Sequence, residues 1–215
     1  MLDQPLGALS RREILQKCIA IGTVIIVAQA SPTAMAAAFE EREREVRKPT
    51  PSNDLGPFYK RRAPNSRSLR VNGDAGLPLT VSGQIFDTRG QVLPEAVVEV
   101  WQTDHYGKYD IKGYRYRATL IADSRGQYGF ESVMPGHYPD RVCQHIHYIV
   151  TSPGCKPLIT QLYFASDRVF EGDPDRNFTR DPLIHSRELV RPVILTGDPE
   201  EIKARVRFEL CLEPA

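Results

Sequence analysis

The 215-residue sequence carries almost no net charge and few cysteines. Its formal charge is +1 at pH 7, so it lacks the basic excess that nucleic-acid-binding proteins usually show. Four cysteines are too few for a small scaffold held together by disulfides. Apolar residues make up 41% of the chain, and the 15 glycines and 17 prolines follow no period, which excludes disordered and collagen-like proteins. We therefore expect a globular domain that does not bind nucleic acid.

Several common active-site motifs are also missing. The sequence has no Walker A motif, no glycine-rich dinucleotide fingerprint and no G-x-S-x-G turn, the usual signatures of nucleotide-binding proteins and serine hydrolases. Helical H-E-x-x-H and paired C-x-x-C zinc motifs are absent as well. Helical patterns do not alternate with the strand-like segments, which argues against a parallel α/β sheet.

The first 36 residues are predicted to form an export signal rather than a short helix of the domain. Residues 10–16 (SRREILQ) contain a twin-arginine pattern, and an apolar run follows at 18–28 (CIAIGTVIIVA). That run is shorter than the roughly 20 apolar residues that a membrane span needs. Ala34 and Ala36 then form a small-residue cleavage site. The pattern predicts twin-arginine export to the periplasm or the cell exterior, without a stable membrane anchor.

Cleavage after Ala36 would leave a charged N-terminal arm at 37–55 and one folded domain, the predicted catalytic domain, at 56–215. The remaining 179 residues would contain 25 basic and 25 acidic side chains. Three cysteines would remain, and an odd number cannot pair completely. One disulfide with a free thiol and three free thiols both stay open for Cys143, Cys155 and Cys211.

Eight short runs rich in Val, Ile, Tyr and Phe are predicted to be strands, because Gly, Asp or Pro turn residues separate them. The predicted fold class is all-β: an antiparallel β-sandwich of about eight strands with long connecting loops. One of these connections, 167–184, is of a length that often has a function. The eight runs are 79–86, 96–102, 116–122, 128–133, 145–151, 159–164, 189–195 and 204–212.

A pair of histidines lies in one of the predicted strands. His145 and His147 are two residues apart, so both imidazoles should lie on one face of the strand, as two ligands of one metal would require. Strands without a metal also contain such pairs. The acidic residue that a cupin would place a few residues later is missing, and there is no thiolate pair. Tyrosines are therefore the candidates for anionic ligands.

Five further motifs follow one another along the chain at 56–59 (GPFY), 98–109 (VEVWQTDHYGKY), 123–138 (DSRGQYGFESVMPGHY), 145–147 (HIH) and 158–167 (LITQLYFASD). In this order they resemble the catalytic core of the intradiol ring-cleavage dioxygenases, which include catechol 1,2-dioxygenases and protocatechuate 3,4-dioxygenases. The resemblance extends over roughly 56–195. It implies cleavage of a catechol-type ring by O2 between its two hydroxylated carbons, which gives a cis,cis-muconate-type diacid.

The resemblance also implies one Fe(III) per chain. Its ligands would be Tyr109, Tyr138, His145 and His147. Tyr138 would additionally be catalytic, because in the family the matching tyrosine leaves the metal when the substrate binds. A phenolate is a hard anionic ligand that suits ferric iron, and imidazole is a common partner.

Other implied site residues match the family less closely. The family carries an Arg three residues before the first His, whereas Arg141 lies four residues before His145. Either Arg141 or Gln144 could therefore fill this catalytic role. Gln161 matches a family active-site Gln, and Tyr59 is a candidate substrate contact as well as a candidate packing residue.

Partners and alternatives complete the expectation. The implied partners are a catechol-type small molecule and O2, and the resemblance leaves a homo-oligomer and a monomer open. A non-catalytic, transthyretin-like β-sandwich binding module is the main alternative, and it would need no metal. A metal enzyme with other chemistry on the same ligands is a third interpretation.

Overall fold

The computed structural model describes residues 46–71, 73–138, 141–198 and 201–215. These residues form ten strands in two five-stranded sheets. The predicted signal at 1–36 and the first part of the charged arm, 37–45, lie outside the described residues. Within the described ranges, no helix has the length and apolar character that a bilayer crossing requires.

The strand bounds follow the apolar runs of the sequence closely. Helical structure is confined to short turns near the long connection: 3-10 turns at Arg168–Phe170, Phe178–Arg180 and Arg187–Leu189, and one α-helical turn at Pro174–Asn177. The ten strands are β1 Pro78–Asp87, β2 Val97–Trp101, β3 Arg117–Ile121, β4 Gln127–Val133, β5 His145–Thr151, β6 Leu158–Phe164, β7 Val190–Arg191, β8 Ile194–Thr196, β9 Lys203–Arg207 and β10 Leu210–Leu212.

Both sheets are mixed, which corrects the prediction of a purely antiparallel sandwich. In the first sheet β1 pairs antiparallel with β4 and parallel with β9 and β10, and β8 pairs with β9. In the second, the order is β3-β2-β5-β6-β7, and only the β6–β7 pair is parallel. The parallel pairs join strands separated by long stretches of chain. Strand patterns report which residues are buried but not the direction of such distant partners.

Two predicted strands are each divided in two. Pro192 follows β7 and lacks a backbone N–H, so the ladder stops there and β8 joins the other sheet. Phe208 and Glu209 separate β9 from β10, although Phe208 N still donates to the Ser82 carbonyl of β1. The first sheet therefore continues across this break, and the two divisions give ten strands in total rather than eight.

The main core lies where the two sheets pack together. Tyr148 of β5 is fully buried, and its ring lies 5.4 Å from Phe208 and 6.4 Å from both Tyr128 and Phe130, measured between centroids. Alternate β5 residues such as Ile146 lie on the same face as Tyr148. His145 and His147 consequently occupy the opposite face, which the loops cover.

Candidate metal centre

His145 and His147 lie side by side on β5, as the spacing predicts. Their ring centroids are 4.8 Å apart, and the residues are 3% and 1% exposed. Strand pairing extends the same face sideways. Trp101 lies opposite His147 on β2, Gln161 lies opposite it on β6, and Tyr163 lies opposite His145. These five residues form the floor of the site.

Packing holds the His147 imidazole, and the Asp54 backbone approaches it without completing a hydrogen bond. It stacks on Trp101 with a centroid distance of 4.8 Å and an interplanar angle of 1°. Gly56 lies on the ring, and a Cβ there would come within 2.9 Å of His147 Cε1. Neither ring nitrogen has a hydrogen-bond partner among the described residues. Burial, and then the proximity of His145 and Arg141, lower the pKa of His147 well below 6.5. The ring is therefore neutral, with a nitrogen lone pair available.

The His145 imidazole is oriented by the backbone. Its Nδ1 lies 2.8 Å from the Cys143 carbonyl oxygen, an acceptor, so Nδ1 carries the proton. Nε2 then presents a lone pair toward the Tyr109 hydroxyl, 3.4 Å away. Burial, with the charge of Arg141 next, lowers the pKa of His145 to about 3. A neutral imidazole with its second nitrogen tied to a carbonyl is the usual arrangement of a metal-binding histidine.

The two predicted tyrosines complete the cluster. The rings of Tyr109 and Tyr138 lie 5.6 Å apart at an interplanar angle of 73°. Tyr138 lies 5.9 Å from His145, and Tyr109 lies 6.4 Å from His147, between centroids. Burial, and then Tyr138, raise the pKa of Tyr109, while Arg141 and Arg117 oppose this shift. The fold thus gathers all four residues from three separate motifs.

The donor set fits a trivalent iron. His147 is a buried imidazole without a partner, and leaving such a group unpaired costs about 1–3 kcal/mol. A bound cation would satisfy it and would favour the phenolate forms that burial alone opposes. No group of three or more His, Cys, Asp or Glu suited to a metal occurs in the described ranges. A metal at this place would therefore need the tyrosines, whose hard oxygen suits ferric iron.

Arg141 is held beside the floor of the site. Its Nη2 donates to Gln161 Oε1 at 3.0 Å and to the Tyr163 hydroxyl at 2.9 Å, and it lies 3.9 Å from Asp181 Oδ2. Burial lowers the pKa of Arg141, but Tyr163 and Asp181 outweigh burial and the net shift is upward. Gln161 is fully buried, and its Nε2 donates to the Asp54 carbonyl at 2.6 Å. Gln161 therefore connects Arg141 to the N-terminal segment through one hydrogen bond at each end of its side-chain amide.

The side chains of Gln144 and Tyr59 make their hydrogen bonds to residues outside the cluster of two histidines and two tyrosines. The Gln144 side chain donates to the Pro135 carbonyl at 2.7 Å, so its amide is occupied away from the four aromatic side chains. The Tyr59 hydroxyl donates to Glu99 Oε2 at 3.0 Å, and its ring packs on Trp101 at 5.1 Å. Tyr59 thus contacts Trp101, the residue that stacks on His147. Their predicted roles in substrate binding stay predictions.

Three residues without a predicted role also build the site. Phe58 stacks on Tyr109 at 4.3 Å and meets Tyr138 edge-on at 6.0 Å. Asp167 accepts from the backbone N–H of Gln144 at 2.8 Å, directly before His145. Phe58 and Asp167 stand inside the quoted motifs, so their motif membership was a usable signal.

The third residue, Asp181, carries no such signal beyond its place in the long connection. It is 1% exposed and accepts from the Cys143 backbone N–H at 3.2 Å. Asp167 also accepts from His137 Nε2 at 3.0 Å, so two buried acids brace both ends of the loop between Tyr138 and His145. The long connection thus contributes structural contacts beside the site, and its predicted function stays a prediction.

Comparison with known sequences agrees with this geometry. Residues 55–214 match the Dioxygenase family (Dioxygenase_C). The chain is 30% identical over 192 residues to hydroxyquinol 1,2-dioxygenase of Nocardioides simplex, covering 77% of this chain and 65% of that protein. It is 31% identical over 195 residues to catechol 1,2-dioxygenase of Acinetobacter baylyi, covering 77% and 60%. The chain thus spans slightly less than two thirds of these relatives' length.

Solved structures share the fold. The dioxygenase domain of a dioxygenase–carbohydrate-binding fusion from Streptomyces sp. SirexAA-E is 31% identical, with a TM-score of 0.67 that covers 78% of this chain and all of that chain. Catechol 1,2-dioxygenase from Pseudomonas arvilla C-1 is 20% identical with a TM-score of 0.67, covering 96% and 79%, which shows a common fold. Because the family match extends along about three quarters of the chain, the chain belongs to the intradiol dioxygenase family.

Proposed function

We propose that this chain is a non-haem Fe(III) dioxygenase that cleaves a catechol-type ring between its two hydroxylated carbons. The product would be a cis,cis-muconate-type diacid containing both atoms of O2. The observation that carries the proposal is the His147 imidazole, buried without a partner and placed beside His145, Tyr109 and Tyr138. The names of the relatives support catechol and hydroxyquinol as the first substrates to test.

Tyr109, Tyr138, His145 and His147 would hold the iron, one per chain. When bound, Fe(III) supplies a Lewis acid that draws electron density from a bound catechol, so that a ring carbon can react with O2. Tyr138, as a phenolate, would accept a catechol proton at its oxygen when the substrate binds. Cys143, through its carbonyl, keeps the His145 proton on Nδ1 and leaves Nε2 as a donor.

Arg141 is proposed to stabilise the negative charge that develops on the substrate. Its guanidinium is 8% exposed, and fixed cations act strongly at a site from which water is excluded. Gln161 and Tyr163 orient it through hydrogen bonds of 3.0 and 2.9 Å. Gln161 is accordingly a positioning residue in this proposal. The hydrogen bonds to Gln161 and Tyr163 support this role for Arg141, although it lies one residue earlier than in the family pattern.

The test of the activity is turnover of a catechol panel under ¹⁸O2. Iron-loaded protein is expected to give a muconate-type diacid that contains two ¹⁸O atoms from at least one substrate, as measured by mass spectrometry and NMR. Tyr109→Phe is the matched control, because it removes one oxygen donor and keeps the ring. A semialdehyde from cleavage outside the diol, or stoichiometric iron with no turnover of any catechol, would contradict the proposal.

We also propose export by the twin-arginine route, on the strength of Arg11 and Arg12 and the apolar run behind them. Fractionation of cells that express the full chain is expected to place the protein outside the cytoplasm. Replacement of both arginines by lysine should retain it inside. Equal export of the two forms would contradict this route.

A further inference from the structure

A second buried arginine lies behind the cluster. Arg117 begins β3, pairs with Trp101 across the sheet, and is only 4% exposed. Its Nη1 donates to the Phe58 carbonyl at 2.6 Å, and its Nη2 donates to the Asp110 carbonyl at 3.3 Å. Both acceptors belong to backbone next to aromatic residues of the site, since Asp110 directly follows Tyr109.

The charge of Arg117 has no carboxylate partner. Among the described residues, no Asp or Glu oxygen lies within 4.0 Å of its guanidinium, and its Nε has no hydrogen-bond partner. The Asp110 carboxylate is occupied by the backbone N–H groups of Gly113 and Arg115. The Asp110 carboxylate therefore attracts the Arg117 guanidinium without forming an ion pair with it. A buried guanidinium with an unpaired Nε is costly.

Arg117 also faces the ring of a predicted metal ligand. The Arg117 guanidinium carbon lies 5.9 Å from the centroid of the Tyr109 ring, at the limit of a cation–π contact. The Phe58 carbonyl accepts the hydrogen bond from Arg117, and the Phe58 ring stacks on the Tyr109 ring at 4.3 Å. Tyr116, directly before Arg117, has a left-handed backbone with φ of 55°, a conformation found disproportionately at functional sites.

We propose that Arg117 is a positioning residue for Tyr109. Its guanidinium fixes the phenol ring through the backbone of Phe58 and Asp110, and it supplies the positive charge that faces a ring bearing negative charge on its oxygen. The inference rests on the proposed function, in which Tyr109 holds iron. It assigns to the site a second cation, in addition to Arg141, for which the sequence predicted no role.

The experiment compares Arg117→Met with Arg117→Lys and with Arg125→Met as a control. Arg125 is exposed, so its replacement removes one positive charge without removing a buried side chain. Three quantities are measured for each protein: the iron dissociation constant, the position of the visible tyrosinate-to-Fe(III) absorption band, and folding by circular dichroism. The band is the reporter that a merely structural role would not move.

Arg117→Met is expected to fold, to bind iron roughly 10–100-fold more weakly, and to show a shifted band. Arg117→Lys keeps the charge but not the two-pronged geometry, so a smaller shift is expected. Arg125→Met should match the wild type. A folded Arg117→Met protein with the wild-type band and iron affinity would overturn the inference.

The outcomes also separate the two proposals. If Arg117→Met does not fold, Arg117→Lys decides, and an unchanged iron affinity and band in that variant would overturn the inference. If the wild type itself neither binds iron nor shows the band, the proposed function is overturned, and the inference falls with it. A coloured wild type with unaffected Arg117 variants would reject only the role of Arg117.

Discussion

The two faces of strand β5 are equally buried and chemically opposite. Ile146 and Tyr148 are 0% exposed and pack into the apolar core between the sheets. His145 and His147 are 3% and 1% exposed, yet the described protein offers His147 no hydrogen-bond partner. A strand with period-two alternation separates these environments by one residue. The core face contributes apolar contacts, although the buried Tyr148 hydroxyl also has no hydrogen-bond partner among the described residues. The opposite face holds imidazoles, and burying the unpaired His147 ring costs stability unless something binds it.

His147→Ala tests this contrast with the largest expected effect. Loss of one nitrogen donor should reduce ring cleavage below detection and abolish the visible band, while the fold is retained because the apolar face of β5 is untouched. Activity, iron content and circular dichroism measure this. Tyr148→Phe is the matched control on the opposite face, and it should keep iron and activity. A coloured, active His147→Ala protein would contradict the assignment.

Ile146→Ala tests the core face of β5 and should have the opposite effect to His147→Ala, with lower stability and unchanged turnover. Removal of a fully buried side chain from the core should lower the free energy of unfolding by about 2–5 kcal/mol. Turnover per folded, iron-loaded molecule should stay near the wild-type value, because Ile146 lies on the face away from the site. Urea denaturation and kinetics on the same samples check both expectations. A large loss of turnover with unchanged stability would show that the two faces are not separable.

Arg141→Met should lower kcat about 100-fold, the usual scale for removing one fixed group that stabilises developing charge. Gln144→Ala should change kcat only a few-fold, since its amide is bonded to the Pro135 carbonyl instead. Steady-state kinetics with the best catechol distinguish the two residues. The reverse order of effects would assign the family Arg role to Gln144.

Asp87 gives the smallest effect and lies in the first sheet. Burial opposes its ionisation, but hydrogen bonds from Gln91 and Arg89 outweigh burial and hold its pKa below 3.8. Its contribution to stability is therefore complete above about pH 4 and is lost as pH falls through the lowered folded pKa. Asp87→Asn should flatten the decline of unfolding free energy in this acid range, as measured by denaturation at several pH values. An unchanged slope would contradict the expected linkage.

Much of the candidate site could be predicted because its proposed ligands lie in short motifs. The period of a strand places His145 and His147 on one face, and the motif order identifies Tyr109 and Tyr138. The roles of Asp181 and Arg117 could not be predicted, because each depends on a contact between segments far apart in sequence. Asp181 reaches Cys143 across the long connection, and Arg117 reaches the Phe58 carbonyl, 59 residues earlier.

The fold shows the same division. Apolar runs located eight segments correctly, and β5 has the predicted bounds. The parallel pairing of β1 with β9 and β10 was missed, because a local pattern does not encode the direction of a partner more than a hundred residues away. Pro192 could have indicated the end of β7, since proline interrupts a ladder.

The central claim is that the polar face of β5 and two tyrosines form an iron site. Crystals of the iron-loaded protein, measured at the iron absorption edge, test it most directly through the anomalous difference map. The account predicts one strong peak per chain, surrounded by Tyr109, Tyr138, His145 and His147. A peak elsewhere, or a loaded protein whose peak lacks contact with either tyrosine, would contradict it.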